Sequence, residues 1–62
     1  MSLIGKKVLG VKVINILEEN ANAIEKMVNE AIHEINRQGN EILDIQITGD
    51  NIFLILGGKN NG

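Results

Sequence analysis

The stretch 41-EILDIQITGDNIFLIL-56 holds two apolar patterns on either side of a polar tripeptide. In its first half Leu43, Ile45 and Ile47 alternate with Ile42, Asp44, Gln46 and Thr48. A period of two predicts a strand with one buried face. The tripeptide 49-GDN-51 predicts a tight turn. A second strand follows, in which Ile52, Phe53, Leu54, Ile55 and Leu56 are all apolar. A two-residue loop at Gly49 and Asp50 sets Ile47 opposite Ile52, Ile45 opposite Leu54 and Leu43 opposite Leu56. Moving the loop to Asp50 and Asn51 keeps that sorting, whereas a three-residue loop scrambles it, so burial favours the shorter turn.

Upstream, 8-VLGVKVINIL-17 is rich in Val and Ile without a helical period and predicts a strand, with Gly10 as a candidate bulge. Between the strands, Ile24, Met27, Val28, Ala31, Ile32 and Ile35 recur at helical spacing. They form a stripe of roughly 140°, wide enough to cover one face of a small sheet. Asn20 or Asn22 is placed to cap the helix start, and Asn22 with Glu25 has capping-box spacing. Gly39 is placed to end the helix in a left-handed conformation.

The expected fold is therefore α+β, in the order βαββ. The last strand, apolar on both faces, takes the centre of a three-stranded sheet of order 1-3-2. This is a split βαβ with a right-handed crossover. One domain is expected over residues 1–62, with loose ends at 1–6 and 58–62. The helix is expected to cover Leu43, Ile45, Ile47, Ile52, Leu54 and Leu56. The far face is expected to carry Phe53, Ile55, Ile42, Ile14 and Ile16 beside Lys12, Asp44, Gln46 and Thr48.

That far face predicts self-association. A domain of 62 residues buries only about 60% of the surface its unfolded chain exposes. The chain has no cysteine and one histidine, so disulfides and a thiolate or imidazole-rich metal site are not expected to help. Exposing five large apolar side chains would forgo about 1.5–3 kcal/mol each. A homo-oligomer of at least two copies, meeting through Ile42, Phe53, Ile55, Ile14 and Ile16, is the expected remedy.

Composition narrows the function classes. The net charge of −2, with Phe53 the only aromatic, does not predict a nucleic-acid partner. No apolar run approaches the roughly 20 residues of a membrane span, and 1-MSLIGKK-7 lacks a signal-type apolar stretch. A cytoplasmic protein without membrane contact is the expectation. The only hydroxyl side chains are Ser2 and Thr48, and no carboxylate pair stands out, so no enzyme, catalytic residue, cofactor or metal is expected. His33 lies opposite the apolar stripe and reads as solvated. Asn22, Asn29 and Asn36 read as a solvated polar line, and 57-GGKNNG-62 as a frayed end, since it lacks phosphate-loop spacing.

The segment 39-GNEILDIQITGDNIFLIL-56, with VKV at 11–13 before an amphipathic helix, resembles small βαββ sporulation-associated and prophage proteins of low-GC Gram-positive bacteria. The likeness rests on Gly39, Glu41, Ile42, Asp44, Ile45 and the last aliphatic strand. The longer hairpin and Tyr-bearing last strand of that family are missing here. The resemblance implies the same layout and a bacterial or phage origin, and carries no catalytic residues.

A non-enzymatic homo-oligomeric binding protein is the expected function. Phe53 would stack a ring while Gln46, Asp44, Thr48 and Lys12 supply polar contacts in pockets between subunits. A nucleotide-like signalling metabolite is the expected ligand, by analogy with small phage proteins that sequester immune signals. The alternative is an interaction or structural module acting on a host protein.

Overall fold

The computed structural model describes residues 7–58. The elements are β1 (Val8–Asn15), α1 (Ala21–Arg37), β2 (Asn40–Ile47) and β3 (Asn51–Gly58). The sheet order is β1-β3-β2, with β3 antiparallel to both neighbours. The βαββ layout and the central final strand are thus as expected. The loose-end expectation lies outside the described residues except at Gly58, which is paired with Asn40 inside the sheet.

The local reasons are explicit at each junction. Thr48 N–H donates to the Asn51 carbonyl at 2.9 Å, closing a two-residue loop at Gly49 and Asp50. Ile47 then pairs with Ile52 and Ile45 with Leu54. Helix α1 starts at Asn20, whose side chain accepts from Ala23 N–H at 2.8 Å; Asn22 is already helical and does not cap. It ends where Gly39 takes φ +85° and its N–H closes on the Asn36 carbonyl. Between β1 and α1, Glu19 N–H bonds the Ile16 carbonyl, and Glu18 turns the chain at φ +65°.

The core is small. Ile14, Ala31, Ile35, Ile52 and Leu54 are buried, with Ile16, Ile24, Met27, Val28, Ile42 and Leu56 packed around them. This corrects four placements. Ile14, Ile16 and Ile42, expected on the far face, lie on the helix side and belong to the core of one chain. Leu43, expected under the helix, lies on the far side, since a Cβ added to Gly57 would meet its Cδ1 at 2.8 Å.

The cause in β2 is a bulge between Ile42 and Asp44. It sets Ile42, rather than Leu43, opposite Leu56, so burial phase changes within one strand. In β1 both alternating sets carry large aliphatics, Ile14 in the one and Val11 and Val13 in the other, so the apolar pattern could not choose a phase. Pairing with β3 sets Ile14 beside Ile52 and Lys12 beside Leu54, and Lys12 therefore also stands on the helix side. The helix leaves Ile45 and Ile47 uncovered at the end of edge strand β2, 46% and 69% exposed.

Candidate functional site

Side chains directly opposite each other in paired strands share a face, so the register maps the side of the sheet away from the helix. One row runs Val13, Phe53, Gln46, and the next runs Val11, Ile55, Asp44. Asn15 and Asn51 form a third row toward the hairpin, joined by a side-chain hydrogen bond of 3.1 Å. Leu43 lies over Gly57 at the other end.

The face is split lengthwise. The β1 and β3 portion is apolar, with Val11 and Val13 49% and 46% exposed and Phe53 and Ile55 half-buried. The β2 portion is polar. There Asp44 accepts from its neighbour Ile45 N–H through Oδ1 and from Gln46 Nε2 through Oδ2, each at 2.8 Å. The pair fixes the Gln46 amide beside Phe53, with its carbonyl oxygen as the acceptor end of the group.

Of the expected ligand-binding residues, the fold brings Phe53, Gln46 and Asp44 together. Thr48 is engaged elsewhere, since its hydroxyl oxygen accepts from Asn51 N–H at 3.0 Å and from Asp50 N–H at 3.3 Å within the turn. Lys12 is separated from the group by the sheet itself. Val11, Val13 and Leu43 are the face members that sequence reasoning missed. For Leu43 a signal existed, because Asp is disfavoured in strands, and Asp44 sits at the bulge with its carboxylate on the next amide. For Val11 and Val13 none did.

Among the described residues, no group of three His, Cys, Asp or Glu side chains is placed to hold a metal, and no helix is long and apolar enough to cross a membrane. His33 is exposed, as its helix phase predicts. No family model, curated protein or solved structure matches the chain.

Proposed function

We propose that this protein is a non-catalytic, homo-oligomeric binding module whose assembly surface is the open sheet face. The observation that supports it is the apolar band of Val11, Val13, Phe53 and Ile55, which no element of the described chain covers. Stacking two such bands places the Asp44 and Gln46 stripe of each copy at the border of the contact, where polar groups remain hydrated. A five-residue core supplies little stability of its own, and burial of the band supplements it.

The same border supports a ligand reading. Phe53 offers a ring face, and Gln46 with Asp44 offers a fixed amide and carboxylate beside it. That set suits the base of a nucleotide-like metabolite, by stacking and edge hydrogen bonds. A phosphate there would face Asp44 without Lys12, so the base and not the phosphate carries the recognition.

Sedimentation at micromolar concentration tests the assembly. The chain is expected to sediment well above its 6.8 kDa monomer mass, and Phe53→Asp to give a smaller species, because burying an unpaired charge is strongly disfavoured. A folded monomer at that concentration overturns the reading. Calorimetry with nucleosides and cyclic nucleotides tests the ligand; no binding tighter than about 1 mM, roughly −4 kcal/mol, removes it.

A further inference from the structure

A second surface lies on the helix side, along the free edge of β1. A groove of about 610 Å³ runs there between β1 and α1. Ile14, Leu56, Met27, Ala31 and Ile35 give it an apolar lining, and Glu30 and Glu34 stand on its helical wall. Lys12 lies in the same groove. The other wall is the backbone of an edge strand.

The hydrogen bonding of that edge follows from one contact. Ile16 N–H donates to the Asp50 carbonyl at 2.7 Å. Polar groups of an antiparallel strand alternate in direction, so Ile14 and Lys12 also turn theirs toward β3. Val11, Val13 and Asn15 turn theirs outward, into the groove wall. Thr48 N–H donating to the Asn51 carbonyl gives the complementary alternation on the other side of β3, which supports the assignment.

We infer that this groove receives the β1 strand of a second copy, antiparallel, about a two-fold axis at Val13. Strand addition to an exposed edge draws affinity from backbone hydrogen bonds and specificity from side-chain pockets. In this register Val13 pairs with its own counterpart and Val11 with the partner's Asn15, so every outward group of 11–15 is matched. The Val8/Gly10 bulge stays outside the paired segment. Because side-chain parity must match across the pair, the competing register centred one residue earlier sets Lys12 against itself, which like-charge repulsion disfavours.

Centring on Val13 instead lays the partner's Lys12 beside Ile14, below Glu30, the Glu34 carboxylate being already held by Arg37 and by Gln38 Nε2. The strand thus carries the features its own groove requires: an extended apolar segment with one cation, where the groove offers an apolar floor and the Glu30 carboxylate. Exposed ion pairs add little affinity, so Lys12 acts mainly to select register. The edge of β2 lacks this match: past its bulge only Ile45 and Ile47 point their backbone groups outward, and both side chains are solvated.

This surface is distinct from the open face, and amide hydrogen exchange separates the two. Within one chain Lys12 and Ile14 amides are protected and those of Val11, Val13 and Asn15 are not. Edge pairing is expected to slow the latter three at least about a hundredfold, and to leave them slow in Phe53→Asp, where only the face is damaged. Val13→Pro removes an outward N–H and no bond to β3, a place where edge strands tolerate proline. It should sediment at no more than half the mass of the unmodified chain, while Val13→Ile, which keeps both the N–H and the apolar face, retains the mass. Lys12→Glu should weaken association roughly tenfold, and adding Glu30→Lys should recover it. Fast exchange at Val11, Val13 and Asn15 in the unmodified protein, or protection appearing instead at Ile47, overturns the inference; a protein that still sediments as an assembly with those three amides fast would leave the open-face reading standing on its own.

Discussion

Replacing Gly57 by Ala tests the placement on which the candidate site depends. Gly57 is buried in β3, on the same side as Phe53 and Ile55. An added Cβ would stand 2.8 Å from Leu43 Cδ1, 3.0 Å from Leu43 Cγ and 3.0 Å from the Lys7 carbonyl oxygen. Carbon atoms pack best at about 3.5–4.0 Å, so Leu43 must retreat by roughly 0.7–1.2 Å. The Lys7 carbonyl is backbone and gives way only if the chain entering β1 moves. Overpacking of this kind costs about 1–3 kcal/mol. The smaller unfolded-state entropy of Ala returns about 0.4–1 kcal/mol, which leaves a net loss centred on about 1.3 kcal/mol. Urea unfolding at fixed protein concentration would measure it in four proteins: the unmodified chain, Gly57→Ala, Leu43→Ala and the double variant. Leu43→Ala removes two of the three short contacts, so the Ala penalty at position 57 should shrink by at least about 0.5 kcal/mol in that background. Equal penalties in both backgrounds would mean that Leu43 does not lie over Gly57, and the bulge that moves it to the open face would be refuted with it.

Three further outcomes follow from the same geometry. Glu18→Gly should stabilise the protein by about 0.5–1 kcal/mol, because φ +65° is costly for a residue with a Cβ and free for glycine; thermal melting that shows no gain would contradict that backbone turn. His33→Ala should change stability by no more than about 0.5 kcal/mol, as at most exposed helix positions, and a larger loss in denaturant melts would contradict the helix phase. Amides of residues 52–56 should exchange most slowly, since central-strand bonds open only with global unfolding; faster exchange there than in β2 would contradict the strand order.

The layout was legible because its signals were local and unambiguous. The period-two run of 43–47, the GDN turn and the five-residue apolar strand fix the hairpin, and the stripe from Ile24 to Ile35 fixes the helix. The site was less legible because it depends on phase. In β1, Val11 and Val13 compete with Ile14 and Ile16 for the core, and nothing local decides between them. The register with β3 decides it, setting Ile14 against Ile52. In β2 a single inserted residue moves Leu43 to one side and Ile42 to the other, which no strict alternation anticipates. Lys12 followed the wrong phase with its strand and so left the group of Phe53, Gln46 and Asp44, which the register keeps together.

The two surfaces have an order, which a rough area argument supplies. Three strands about 4.8 Å apart and about 27 Å long present a face of roughly 390 Å². Stable partners usually contribute about 800 Å² each, so stacking single open faces falls short by about half. Edge pairing through β1 does not depend on that area, because its affinity comes from backbone bonds along Val11–Asn15. Once formed, it joins two open faces into one of roughly 780 Å², with the Val11 and Val13 bands of both copies at its centre. Stacking then reaches the usual range in a single association event. The edge contact should therefore come first and the face contact depend on it. Val13→Pro should accordingly reduce the protein to monomers, whereas Phe53→Asp should stop at edge-paired dimers. Sedimentation of both variants at equal concentration would show that asymmetry; a monomeric Phe53→Asp beside an assembled Val13→Pro would reverse the order.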